Sequence, residues 1–151
     1  MSLLRGRLEI MYEDKKWYAL AKEKYDEKTF EHAKRVADYA MNHPLEYHFD
    51  EHDKEVLYQV ALLHDIIEDT GFRFTFENVT ANGIDYETVR AVIILTNSGE
   101  EYTEYCKRVR GSGNKFAYIA KLADMKDHLS LTETLTDRLK EKYLRGLAVL
   151  L

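Results

Sequence analysis

Hydrophobic residues recur at every third or fourth position along most of the chain, which is the spacing of one face of an α-helix. In the segment that follows Asp26, the residues at this spacing are Phe30, Ala33, Val36, Ala37 and Ala40. Asp26 is a suitable N-cap, and Asn42-His43-Pro44 is a typical helix stop. The pattern therefore predicts a helix that begins at Asp26 and ends at this stop.

A longer apolar segment follows and contains the stretch ALLHDIIEDTG, residues 61–71. Asp50 or Asp53 is a suitable N-cap for it, and Gly71 is a suitable C-terminal residue. The apolar residues of this segment lie on nearly all sides of a helical projection, as in a helix that others surround. We predict one continuous helix that reaches Gly71 and lies at the centre of a bundle.

The remaining sequence predicts further helices separated by short turns. Suitable N-caps precede five more helical patterns, at Thr75, Asp85, Ser98, Asn114 and Thr136. The stretch FRFTF, residues 72–76, alternates as a strand does, but it is too short to form a sheet and is also consistent with a turn anchored by aromatic rings. We therefore predict an all-α fold, a single-domain helical bundle of six or seven helices.

Composition favours one domain, residues 1–151, with its core in residues 26–151. Of the 151 residues, 45% are hydrophobic, which is enough for one sizeable core. No apolar run is long enough to span a membrane, no secretory signal is evident, and the single cysteine, Cys106, suits a reducing compartment. We expect a cytoplasmic protein without a membrane partner. The apolar residues 147–151 would either close the core or pair two chains in a homo-oligomer.

Charge narrows the class of ligand. The net charge of −5 argues against a long nucleic acid as partner, because binding to a phosphate backbone needs a broad basic surface. A local basic segment remains, since no acidic residue lies between Glu104 and Asp124, where the basic residues are Lys107, Arg108, Arg110, Lys115 and Lys121. The GSGN turn, residues 111–114, adds backbone N–H groups. This segment is either a phosphate-binding surface or an ordinary solvated basic face.

The stretch ALLHDIIEDTG sets four polar groups, His64, Asp65, Glu68 and Asp69, beside a nearly continuous apolar run. Charged groups pressed against a core are costly unless something compensates for their desolvation, and a bound metal ion is an efficient compensator. His64 and Glu68 are four residues apart, as are Asp65 and Asp69, so a helix arranges them in two neighbouring polar rows.

Further metal ligands are available on other helices. His32 and Asp124 both lie inside apolar helical patterns. A lone buried histidine is more often a hydrogen-bonded core residue, and a lone aspartate is more often a cap or half of an ion pair. Together with His64 and Asp65, however, they form a set of four on three core helices, which favours a metal site.

These residues resemble the signature of the HD family of metal-dependent phosphohydrolases: a His, a His-Asp pair and a distant Asp. Here the matching residues are His32, His64-Asp65 and Asp124. Within this family, the chain more closely resembles the small RelA/SpoT-like hydrolases, which remove the 3′-pyrophosphate from guanosine tetra- and pentaphosphate, (p)ppGpp. The similarity rests on ALLHDIIEDTG, ILT, EYTEYCKRV, AYIAKLADMKDHL and RLKEKYLRGLAVL, in the family's order.

The resemblance implies that His32, His64, Asp65 and Asp124 hold one divalent metal ion, usually Mn²⁺. The donor types alone do not choose between manganese, iron, cobalt and zinc. Glu68 and Asp69 would be the catalytic groups that move protons at the attacking water or the leaving oxygen, or would simply begin a solvated helix end. The expected substrate-binding residues are Arg35, Lys121, His128, Lys107, Arg108 and Tyr143.

The chain departs from the family pattern at two positions. Ala33 stands where a proline usually follows the first histidine, and His128 stands where an asparagine usually follows the last aspartate by four residues. His128 would contact the ribose or phosphate, approach the metal as an extra ligand, or face solvent. Some two-metal HD proteins recruit extra histidines, but His43, His48 and His52 fit a solvated loop better.

We therefore expect a (p)ppGpp 3′-pyrophosphohydrolase without synthetase activity, since little chain remains for a second domain. An HD phosphatase that acts on a nucleoside monophosphate or a phosphorylated dinucleotide is the alternative enzyme. The alternatives of other classes are a non-catalytic module that senses a nucleotide and a purely structural bundle.

Overall fold

A computed structural model describes residues 11–43, 48–131 and 133–151. Within these ranges the chain forms helices and no strand, and no helix has both the length and the apolar character that crossing a membrane requires. The helices are α1 (Lys16–Lys24), α2 (Glu27–Met41), α3 (Glu51–Leu63), α4 (Ile66–Thr70), α5 (Phe76–Ala81), α6 (Tyr86–Leu95), α7 (Tyr102–Gly111), α8 (Lys115–Ser130) and α9 (Asp137–Leu150). The predicted all-α fold is confirmed.

Side-chain caps begin most of these helices. Hydrogen bonds from backbone N–H groups are accepted by the predicted caps Asp26, Asp50, Thr75, Asn114 and Thr136. Two predictions need correction. Glu101 rather than Ser98 caps α7, because its carboxylate accepts from the backbone of Glu104. Asp85 precedes α6, but its carboxylate accepts a hydrogen bond from Gln59 instead of capping the helix. The predicted stop at Pro44 lies outside the described residues.

Helix α3 lies at the centre of the bundle, as predicted, and packs against α1, α2, α6 and α8. Every residue from Val56 to Leu63 is buried. The one amide among them, Gln59, donates to the Asp85 carboxylate at 2.6 Å and accepts from the Thr88 hydroxyl at 3.0 Å. Its polar atoms are therefore paired, and they join the middle of α3 to the start of α6.

The segment that FRFTF occupies is a turn and not a strand. Phe72 and Phe74 pack edge to face with ring centroids 5.4 Å apart, and both lie against the core. Phe76 is exposed and begins α5. The aromatic rings thus anchor the turn between α4 and α5, which is the second of the two readings that the sequence allows.

The prediction of one continuous helix to Gly71 is wrong, because the helix is interrupted at His64 and Asp65. Helix α3 ends at Leu63, Asp65 has a non-helical backbone with φ −103° and ψ 5°, and α4 begins at Ile66. A side chain hydrogen-bonds to a backbone carbonyl near this interruption: the Tyr25 hydroxyl donates to the carbonyl of Leu62 at 3.0 Å. Gly71, with φ 72°, then ends α4 in the left-handed conformation that glycine favours.

Helix α9 packs closely against α7 and α8 through Gly146. A Cβ atom at this position would lie 2.5 Å from Tyr102 Cε2, 2.9 Å from Met125 Cε and 3.0 Å from Cys106 Sγ. These distances are shorter than van der Waals contact. The glycine is therefore required by packing, even though glycine is a poor helix former.

We predict that Gly146→Ala lowers the free energy of unfolding by about 1–3 kcal/mol, the usual cost of overpacking a core. Gly111→Ala, at the end of α7, is the matched control, because a Cβ atom there meets nothing within 4 Å. That variant should be neutral or slightly stabilising. Urea unfolding measures both, and equal stability of Gly146→Ala and the wild type would contradict the packing of α9.

Candidate metal centre

Three parts of the fold bring the four predicted ligands together. His32 lies in α2, His64 and Asp65 lie at the break after α3, and Asp124 lies in α8. One ligand atom from each residue lies within 4.8 Å of the others. The His32 and His64 Nε2 atoms lie 3.0 and 3.2 Å from Asp124 Oδ1, and His64 Nε2 lies 3.0 Å from Asp65 Oδ2.

Hydrogen bonds fix which nitrogen of each imidazole faces the cluster. The His32 Nδ1–H donates to Asp127 Oδ2 at 2.6 Å, and the His64 Nδ1–H donates to the carbonyl of Ala61 at 2.6 Å. In each ring, Nε2 is left to point at the carboxylates. Metal-binding histidines are typically held in this way, with the second nitrogen donating to a carboxylate or a carbonyl. The donor set therefore fits a divalent metal ion, with two imidazoles and two carboxylates as ligands.

Asp127 is a site residue that the sequence analysis missed. Its side chain is buried, and it accepts hydrogen bonds from His32 and from Arg35, whose Nε lies 2.8 Å and whose terminal nitrogen lies 3.1 Å from its oxygens. Asp127 thus holds the candidate ligand His32 and the cation of Arg35 at once. The sequence does contain a signal that could have identified Asp127: it lies three residues after Asp124, and therefore one turn away on the same side of the helix.

The Asp124 carboxylate has separate partners for its two oxygens. Oδ2 accepts a hydrogen bond from Lys121 Nζ at 2.9 Å, while Oδ1 faces the imidazoles. The Lys121 ammonium also lies over the rings of Tyr102 and Tyr105, 5.2 and 4.9 Å from their centroids. Burial disfavours the charge on Asp124, but the attraction of Lys121 and His64 outweighs it and holds the pKa of Asp124 well below its usual value.

Glu68 and Asp69 lie on α4, directly after the ligand pair. Partial burial raises the pKa of both carboxyl groups, and the neighbouring charge of Asp65 adds to the rise. A carboxyl group with a raised pKa holds a proton more readily and is suited to acid–base work. Glu68 also accepts a hydrogen bond from the backbone N–H of Asn97, which orients it.

A cleft of about 500 Å³ opens onto this cluster, which is within the usual range for a small-molecule site. Of the predicted substrate-binding residues, the cleft is lined by Arg35, Lys121, His128 and Tyr143. Lys28 and Lys142, which the sequence analysis did not select, also line it. The Lys142 ammonium lies 4.6 Å from the centroid of the Tyr102 ring. The cleft is therefore acidic at the ligand cluster and basic around it.

The other two predicted substrate-binding residues do not line the cleft. Lys107 pairs with Glu104 on the surface at 3.2 Å. Arg108 binds both oxygens of Glu100 and donates to the carbonyls of Ile94 and Thr96, so it joins α7 to the end of α6 and to the loop between them. The structure therefore does not bring Lys107 and Arg108 to the cleft with the other predicted substrate-binding residues.

The basic segment as a whole is divided between faces of the fold. Its GSGN turn precedes α8, and Asn114, its last residue, is ten positions and about 15 Å along the helix from Asp124. Only Lys121 of its five basic residues lines the cleft. Closeness along the chain did not predict a shared surface, because helices α7 and α8 turn successive residues to different sides.

His128 lies at the cluster and not only in solvent. Its Nε2 lies 3.2 Å from Asp124 Oδ1, and its ring stacks on Tyr143 with centroids 4.7 Å apart and planes 9° apart. The other histidines differ. Among the described residues, the group of ligand atoms within 4.8 Å of one another includes neither His128, which lies beside it, nor His43 nor His48. His52 lies beside Asp85 and Glu87 near the start of α6.

Comparison with known protein families agrees with this geometry. The HD domain family matches residues 29–139, which is well over half of the chain, and the chain therefore belongs to the HD domain family. HD domains are metal-dependent hydrolases, and the match contains His32, His64, Asp65 and Asp124. No curated protein is significantly similar to the chain.

We predict that Asp127→Asn weakens metal binding by about 10- to 100-fold, the usual effect of losing a partner of a metal-binding histidine. Isothermal titration calorimetry of this variant with Mn²⁺ should still give a stoichiometry of one ion per chain. Arg35→Gln is the matched control, because it removes the other partner of Asp127 and leaves His32 in place; its affinity should change much less. Unchanged affinity in Asp127→Asn would show that Asp127 does not position His32.

Proposed function

We propose that this protein is a metal-dependent phosphohydrolase of small nucleotides, and that its reaction is the removal of the 3′-pyrophosphate from (p)ppGpp without synthesis of these nucleotides. The observation that carries the proposal is the cluster of His32, His64, Asp65 and Asp124 in a cleft with carboxyl groups and cations around it. Membership of the HD domain family supports the hydrolase class. The resemblance of the sequence motifs to the small RelA/SpoT-like hydrolases supports the substrate.

The metal would be held by the Nε2 atoms of His32 and His64 and by oxygens of Asp65 and Asp124. When bound, a divalent ion supplies a nucleophilic water at neutral pH and polarises a phosphoryl oxygen. Mn²⁺ is the ion that the family resemblance implies, and the mixed nitrogen and oxygen donors are compatible with it.

Glu68 and Asp69 would do the proton chemistry. Both line the cleft one helical turn from the ligand pair, and both have a raised pKa. One group accepts a proton from the attacking water, and the other donates a proton to the leaving oxygen. The hydrogen bond from the Asn97 backbone makes Glu68 the better-oriented of the two.

Cations around the cleft would bind the phosphates. Arg35 uses Nε and one terminal nitrogen on Asp127, which leaves N–H groups of its guanidinium for a ligand. Lys28 and Lys142 line the same cleft and are exposed. A local positive field of this kind attracts an anionic substrate even though the whole chain carries a charge of −5.

We predict that Mn²⁺-loaded protein converts ppGpp to GDP and pyrophosphate, and that Asp65→Asn loses both the metal and the activity, because it removes one of four ligands. Chromatography of the products and metal analysis measure the two effects. Full metal occupancy in Asp65→Asn would refute the ligand assignment. Release of phosphate from a nucleoside monophosphate or a dinucleotide, with ppGpp unchanged, would overturn the proposed substrate but would retain the assignment as a phosphohydrolase. Tight nucleotide binding without turnover would indicate a sensing module.

Glu68→Gln has a different expected outcome. The metal should remain at one ion per chain, while kcat falls by about 10²-fold or more, the usual effect of removing an acid–base group. Glu77→Gln on α5 is the control, since Glu77 is exposed and does not line the cleft. Wild-type kcat in Glu68→Gln would exclude Glu68 from the reaction.

A further inference from the structure

Three imidazole nitrogens, not two, surround one oxygen of the cluster. The Nε2 atoms of His32, His64 and His128 lie 3.0, 3.2 and 3.2 Å from Asp124 Oδ1. Two ligand atoms that share one metal ion with bonds of about 2.1 Å lie roughly 3 to 4 Å apart. The distance from His128 to Asp124 is thus the distance expected between neighbouring ligands of one ion.

The oxygen that His128 approaches is the one available to a metal. Lys121 occupies Asp124 Oδ2 with a hydrogen bond of 2.9 Å, and Lys121 is itself buried. Oδ1 is therefore the oxygen that the imidazoles share and that a metal would bind. His128 lies on α8 four residues after Asp124, so its side chain extends from the same helical face.

Aromatic contacts hold the His128 ring in this orientation. One face is stacked on Tyr143 at 4.7 Å, nearly parallel, and the ring of His32 lies 4.8 Å away with a tilt of 37°. The side chain is one third exposed at the mouth of the cleft. The Nε2 edge of the ring faces Asp124 Oδ1.

The ligand atoms that lie within 4.8 Å of one another belong to His32, His64, Asp65 and Asp124, so the His128 ring must shift toward them to share their ion. We propose that this shift accompanies metal binding and makes His128 a fifth protein ligand, so that this chain binds its ion through three imidazoles and two carboxylates. The proposal rests on the metal site of the proposed function. A third imidazole favours metals that prefer nitrogen ligands, such as iron, cobalt and nickel, over manganese. It also leaves one position fewer on the ion for water and substrate, so His128 influences which ion the protein selects and how a phosphate approaches it.

The test measures metal binding without any substrate. Metal-free wild type, His128→Asn and Asp65→Asn are titrated separately with Co²⁺ and with Mn²⁺. In His128→Asn, the Kd for Co²⁺ should rise at least 10-fold and the Kd for Mn²⁺ should rise less, so that the preference for Co²⁺ falls. His52→Asn is the control, because it makes the same change at an exposed histidine beside Asp85 and Glu87, away from the cluster, and should keep both Kd values.

Electron–nuclear double resonance of the Mn²⁺-loaded protein with ¹⁵N-labelled histidine gives a second, direct count of bound imidazoles. Three in the wild type and two in His128→Asn are the expected numbers, and the wild-type count does not depend on any variant folding. Two in the wild type, with unchanged Kd values in His128→Asn, would overturn the proposal. In that case, loss of metal in Asp65→Asn would leave the site itself standing, whereas a wild type that binds no ion would refute both.

Discussion

The buried charge of Asp124 is the constraint on which the site depends. Asp124 has only 4% of its residue surface exposed, so its carboxylate needs compensation on every side, because an uncompensated charge in a core is very costly. Lys121 compensates one oxygen, and imidazoles surround the other. The Lys121 ammonium in turn lies over two tyrosine rings, and His32 is held by Asp127. Hydrogen bonds and ion pairs therefore link α2 to α8, and cation–π contacts of Lys121 link α8 to α7.

The break in the central helix is the second determinant of the site. A continuous helix through residues 50–71 would have kept its backbone bonded to itself. Instead, the His64 ring donates to the carbonyl of Ala61, and Asp65 adopts a non-helical conformation. The same hydrogen bond fixes the nitrogen that His64 presents to the cluster. One local feature therefore ends α3, orients a ligand and starts the short helix that carries Glu68 and Asp69.

Sequence reasoning predicted the parts of this arrangement that local patterns encode. Apolar spacing and caps gave the helices, and the residue types at positions 32, 64, 65 and 124 indicated the metal group. The sequence pattern did not predict the interruption of the helix at His64, because hydrophobic periodicity continues through that residue. Periodicity also cannot show that a side chain forms a hydrogen bond with a backbone carbonyl. Sequence reasoning also missed Asp127 and Lys142, and it grouped Lys107 and Arg108 with the site, because the face on which a charge lies depends on how α7, α8 and α9 pack.

The central claim is that His32, His64, Asp65 and Asp124 together hold one divalent metal ion. Anomalous diffraction from crystals grown with Mn²⁺ tests it most directly, because the peak locates the ion without reference to activity. One strong peak is expected at bonding distance from Nε2 of both histidines, from Asp65 and from Asp124 Oδ1. A well-ordered cluster with no peak, or an ion bound elsewhere in the protein, would contradict it.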